Sequence, residues 1–174
     1  MENTQTIGIG TKIYKPIDTP EKSHFYADCA VWCNENRCAI EDKGDYYEIV
    51  AIPEPTLDEV KVRKLNELNA AHEAAEAGAH VASSLGFTID ANDRANRDIE
   101  GILKTIGDGV VMFCDYENEF HELNRAQCET LQIEIIQNAQ ALYAQKWAYR
   151  AQVEGSESVD ELNAIEFTFS HLSF

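Results

Sequence analysis

The sequence predicts an α+β fold in two parts, and three observations carry that expectation. Apolar residues recur every three or four positions through two long stretches, 56–86 and 124–155, which read as helices. Runs of β-forming residues flank polar turns near 39–52 and 110–123, which read as hairpins. Between the first hairpin and the first long helix lies Pro53-Glu54-Pro55, where helix and strand ladder are both disfavoured. It separates a small β-α-β-β unit, residues 1–53, from a helical domain, residues 54–174, with two long antiparallel helices, a short helix and a β-hairpin.

Residues 11–14 form the first short strand, and Pro16 and Pro20 punctuate the loop after it. A helix is expected over about 21–34, with Phe25, Cys29, Val31, Trp32 and Cys33 on its buried side. Residues 39–41 and 46–52 then flank the turn Asp42-Lys43-Gly44-Asp45. In the long helix over 56–86, Thr56 and Glu59 make a capping box, and the apolar stripe is Val62, Leu65, Leu68, Ala71, Ala75, Ala79, Ala82 and Leu85, with Gly86 as the stop. Residues 86–90 are extended. The helix over 93–106 places Ala95, Ile99, Ile102, Leu103 and Ile106 on one face and Gly107 after its end.

Residues 110–114 and 119–123 bracket the turn Asp115-Tyr116-Glu117-Asn118. Asn124 caps the next long helix with Gln127 three residues on, and Cys128, Leu131, Ile135, Ala139 and Leu142 make its stripe, broadened by Ile136, Tyr143, Trp147 and Ala151. It is expected to pair with the first long helix: Ala70, Ala71, Ala74, Ala75, Gly78 and Ala79 leave room there for Leu142, Tyr143 and Trp147. Gly155 ends it. Ser158 and Glu161 cap a short helix to about Ala164, after which Ile165, Phe167, Phe169 and His171 alternate like a terminal strand.

Of 174 residues, 44% are hydrophobic, enough for a real core, and 31 acidic residues against 14 basic give a net charge of −17. That charge repels phosphate backbones and anionic lipid, so no direct nucleic-acid or membrane partner is expected. No apolar run is long enough to span a bilayer, and MENTQTIGIGTKIYK carries no basic segment followed by an apolar core, so residence in the cytoplasm is expected. Cys29, Cys33, Cys38, Cys114 and Cys128 are an odd set in a chain with its own core, and reduced thiols without disulfides are expected.

No candidate site survives inspection of the residues. Cys29 and Cys33 share a helix face and Cys38 follows, yet zinc knuckle spacing and a histidine pair are both missing, so buried thiols are the expectation. His72 and His80 lie two turns apart on the long helix, too far to share one metal, and a polar-face role is expected for them. Cys114 and His121 on partner strands raise a cysteine nucleophile with a histidine base, against which the bland strand reading is preferred. Glu41-Asp42 with Asp45, and Asp115 with Glu117 and Glu119, lack the order of a calcium loop, and Gly8-Ile9-Gly10 is too isolated for a dinucleotide site. The expectation is therefore no enzyme, with no catalytic, cofactor-binding or metal-binding residue and no cofactor.

The Ala-rich long helix, Gly86-Phe87-Thr88-Ile89-Asp90, Arg94-Ala95 with Ile99-Glu100-Gly101, the hairpin ending in Leu123 and the opening Asn124-Arg125-Ala126-Gln127 form an ordered set. In that set, about residues 60–165 resemble a family of uncharacterised C-terminal helical domains of small proteins encoded in phage and prophage tail modules, beside tail-fibre genes. Cys33-Asn34 with the run from Ile40 to Glu48 is similar to N-terminal pieces of such proteins. Phe113 stands where the family pattern has a tryptophan, and the tail after Ile165 runs past it. The resemblance implies a non-enzymatic, tail-associated protein, either a structural accessory of the virion tail or an assembly factor of the tail fibre. Its partner would be a phage tail or tail-fibre protein, with a homo-oligomer also open, in the host cytoplasm during assembly or in the virion tail. The long helices and the terminal Phe167, Phe169 and Phe174 offer surfaces for such contacts. The competing expectation is an acidic DNA mimic, a phage inhibitor of a host nucleic-acid-binding protein, which requires carboxylates in a double row on one face.

Overall fold

A computed structural model describes residues 6–174, and the fold is α+β. The chain divides into two compact units, Met1–Pro55 and Thr56–Phe174.

In the smaller unit, β1 (Lys12–Tyr14), α1 (Pro20–Asn36), β2 (Cys38–Asp42) and β3 (Tyr46–Ala51) build an antiparallel sheet of order β1-β3-β2 with one helix. The β-α-β-β expectation holds. The helix starts at Pro20, because proline suits the first helical position and Thr19 accepts the Lys22 amide. It ends at Arg37 in the left-handed region, φ 53°. Phe25, Cys29 and Cys33, four apart, face Ile13, Cys38 and Ile49, whereas Val31 stands on the opposite side and is exposed, contrary to the sequence expectation. Between β2 and β3, Gly44 takes φ 89° and its amide reaches the Asp42 carboxylate, fixing the hairpin register.

The larger unit begins with α2 (Leu57–Ala77), opened by the Thr56–Glu59 capping box. It stops nine residues short of Gly86. Gly78 ends the helix, and the chain turns into β4 (His80–Ala82), antiparallel to β5 (Thr88–Asp90). The physical reason is a change of period: Ala79, Val81, Ile89 and Ala91 alternate into the core at every second position. Gly86, at φ 92°, belongs to the turn between these strands. The buried stripe of α2 is Val60, Lys64, Leu68 and His72, four apart, so Leu68 alone of the expected apolar stripe is fully buried in the helix, and Val62 is exposed.

Next come α3 (Asp93–Thr105), β6 (Val110–Cys114), β7 (Phe120–Asn124), α4 (Arg125–Gly155) and α5 (Val159–Ala164), close to the expected boundaries. Asn92 caps α3, and the Arg125 guanidinium at the start of α4 donates to the Leu103 carbonyl at its end, 2.7 Å. The helices α2 and α4 run antiparallel: Val60 shares a core with Val153, and the His72 ring faces Tyr143. The main core joins Leu131, Ile135 and Leu142 of α4 to Ile99, Leu123 and the β4–β5 pair. Each such fully buried side chain contributes about 1.5–3 kcal/mol. Tyr143 and Trp147 do not fill against the alanines of α2. They are about half exposed, stacked edge to face, with the Arg150 guanidinium over the indole. Among the described residues, no helix is long and apolar enough to cross a membrane.

The terminal strand expected after Ala164 is not a sheet strand. Residues 165–174 run extended along α4, and the alternation is real, with Ile165, Phe167, Phe169 and His171 half-buried between exposed neighbours. One parallel bridge, Ala82 with Ser173, ties the segment to β4.

Candidate functional site

Side chains of α4 take the place of a neighbouring strand for this segment. Gln145 donates its amide N–H to the Ser170 carbonyl, 2.8 Å, and accepts the Ser170 amide, 2.9 Å. One turn on, the Tyr149 hydroxyl donates to the Thr168 carbonyl, 2.8 Å, and accepts the Thr168 amide, 3.2 Å. Asn138, on the same face, accepts the Leu172 amide, 2.9 Å, and Lys64 of α2 donates to the Ile165 carbonyl, 3.0 Å. A primary amide carries both donor and acceptor, so it can satisfy a peptide unit as a β-strand would. The aromatic rings of Phe167 and Phe169 pack at the Tyr149 ring, edge to face. The result is a groove that holds an extended backbone.

Two buried groups beside it lack partners. Glu134, one turn before Asn138, accepts the Ser84 amide and hydroxyl at Oε1, while its buried Oε2 has none. His72 is held by Glu76 at Nδ1, 3.2 Å, and packs on Phe169, with Nε2 buried and unpartnered. His72 is thus buried and not the polar-face residue that spacing implied. His80 lies on β4, not on the helix, stacked on Tyr116 and 5.6 Å from the His171 ring. Burial, and then the neighbouring His80, hold the His171 imidazole below its ordinary value of 6.5.

A second concavity lies between α2, α3 and α4, a cleft of about 810 Å³. Ala91 and Leu142 are among its buried apolar lining residues, and Glu73, Glu76, Arg94 and Arg97 among its charged ones. It holds no nucleophile with a base beside it.

The remaining sequence candidates resolve as structure. Cys29, Cys33 and Cys38 are buried free thiols of the smaller unit's core, and burial pushes the first two thiols up, away from reactivity. Cys114 and His121 are not brought together: Phe113 is the cross-strand partner of His121, so Cys114 points to the other face. His121 instead meets Asp115 at 2.8 Å and stacks on Phe87 at 4.0 Å. That hydrogen bond to His121 holds the Asp115 carboxyl below the usual carboxylate range, and the same carboxylate accepts the Glu119 amide to close the turn. Asp42 is tied to Lys15 and Gly44, and Glu41 to Lys43. Among the described residues no three His, Cys, Asp or Glu converge on a metal position.

The groove was not foreseen because α4 residues Glu134, Asn138, Gln145 and Tyr149 lie outside the apolar stripe from which the helix was read. Their spacing of four, seven and four places them in one row, the only signal available.

Residues 59–168, well over half of the chain, match the family model of a domain of unknown function, DUF4376. No curated protein and no solved structure matches the chain.

Proposed function

We propose, from the premise that this chain belongs to the DUF4376 family, that it is a non-enzymatic protein-interaction module of phage tail biology, an accessory or assembly factor of the tail fibre. The observation that carries the interaction reading is the outward face of the β6–β7 hairpin. Val110, Met112 and Phe120 are 59%, 59% and 68% exposed there, while their neighbours Val111, Phe113 and Leu123 turn inward. Glu122 and Asn124 share that face, opposite Met112 and Val110, and an exposed apolar cluster beside polar groups on a two-stranded hairpin is a surface that a partner covers. The tail-fibre setting comes from the resemblance in helices and hairpin.

The charge distribution supports this reading over the DNA mimic. Asp42 on β2, Glu67 on α2, Asp98 and Glu100 on α3, and Glu129 and Glu154 on α4 are engaged with a lysine or arginine, mostly four residues apart on the same helix. Carboxylates spread over four elements, with paired ones on each, make a solvated surface rather than a row of phosphate-like charges.

Mass spectrometry of purified phage particles carrying this gene tests the proposal. Peptides at a fixed ratio to a fibre or baseplate protein are expected for an accessory, and co-purification with the unassembled fibre for an assembly factor. In either case Phe120→Ser with Met112→Ser abolishes the association while the fold is retained. Absence from both, with capture of a host nucleic-acid-binding protein, overturns it.

A further inference from the structure

We propose that the groove along α4 is a binding site for an extended segment of a partner protein, one with large apolar residues at alternate positions, and that residues 165–174 fill it as an exchangeable strap. The inference stands apart from the tail-fibre setting.

The occupant's chemistry is set by what lies in the groove. The hydrogen bonds of Gln145, Tyr149 and Lys64 to the strap all go to backbone groups, at Ser170, Thr168 and Ile165. The Tyr149 ring also meets the rings of Phe167 and Phe169, and the Lys64 ammonium that of Phe167. A groove that reads backbone accepts any sequence whose inward side chains fit, and those are Ile165, Phe167, Phe169 and His171. The outward Glu166, Thr168 and Ser170 are exposed.

Three further observations make the strap a replaceable ligand. None of its side chains is fully buried, so its release costs less than removal of a core strand. The polar row does not stop where the strap's contacts do: Glu134 continues it one turn past Asn138, with a buried carboxylate oxygen lacking any donor. The family match supplies the third. Asn138, Gln145 and Tyr149 lie inside residues 59–168 together with Ile165 to Thr168 of the strap, and the match ends within the strap, before Phe169 to Phe174.

The tethered strap competes at an effective concentration on the order of millimolar, so the test removes the tether. The full chain carries a protease site inserted between Ala164 and Ile165, is folded, and is then cut. A labelled peptide of residues 165–174 is added in excess and its uptake is followed by anisotropy. Uptake with release of the resident strap is expected, with the rest of the unit still folded by circular dichroism. N-methylation of the peptide's Ser170 amide should weaken uptake roughly tenfold or more, as should Phe169→Ala, while Glu166→Ala stays within about twofold.

In the uncut chain, Gln145→Leu should speed hydrogen exchange of the strap without changing that of α4. A strap that never exchanges, or whose release unfolds the unit, makes it an integral core element and overturns the proposal. Indifference to N-methylation overturns backbone reading. A stable two-copy species with crossed straps would assign the groove to a second copy and overturn the partner.

Discussion

The residues that matter most to the larger unit are polar ones in buried places. His171 shows what such a position implies for pH. The Asn138 amide oxygen is taken by the Leu172 N–H, so its nitrogen is the group that meets His171 Nδ1, at 3.4 Å, and an amide nitrogen can only donate. The imidazole must therefore accept there, which a proton on Nδ1 prevents. His80 beside it also opposes a second positive charge. Since the docked pKa is below the free value of 6.5, the released strap takes up the proton first. Docking is fully supported above that value and weakens as pH falls below it. Limited proteolysis of the strap should accelerate from about pH 7 to about pH 5, and His171→Gln should remove most of that dependence. None of this was legible in the sequence. Lys64, His72, Glu134 and Asn138 interrupt the apolar pattern, and pattern reasoning sends polar residues outward unless a partner for each is known.

Elements with strong local signals were legible, and the failure at α2 has a definite cause. Alanine has high helix propensity and leaves little imprint of period, so residues 79–85 fit a helix stripe as well as a strand. Gly78 ended the helix where the Ala-rich run offered no contrast between faces. The bounds of α4 and the centre of its stripe were read correctly because Leu131, Ile135 and Leu142 fix its face and Asn124 with Gln127 its start, whereas Ile136, Ala139, Tyr143, Trp147 and Ala151, expected on the buried side, are exposed. Both halves of that capping box form, the Gln127 amide reaching Asn124 Oδ1 at 3.0 Å and the Asn124 amide reaching Gln127 Oε1 at 3.0 Å. Asn124→Ala removes the first of these and is expected to lower stability by about 1 kcal/mol, as an N-cap deletion does. Urea denaturation followed at 222 nm measures it. Asn124 also closes β7 opposite Val110, so a loss well above that amount would mean the hairpin register depends on it as well.

At the scale of the whole molecule, the Pro-Glu-Pro joint expected from composition falls at the division between the units, and each unit has a core of its own. The cysteines happen to be distributed so that they report on the two cores separately. Cys29, Cys33 and Cys38 line the core of the smaller unit, Cys128 is fully buried in the larger one, and Cys114 is exposed on the hairpin. A unit of this small size buries a smaller fraction of its surface, and among the described residues the buried part of its core is Ile13, Ile49 and three cysteines, so it should be the less stable. Pulse alkylation along a urea gradient, read by mass spectrometry, should give three steps. Cys114 reacts in the native protein, Cys29 and Cys33 together at the first transition, and Cys128 at a higher urea concentration. Simultaneous exposure of Cys29 and Cys128 would mean that the two units unfold as one cooperative block, and the division at Pro55 would then carry no energetic meaning.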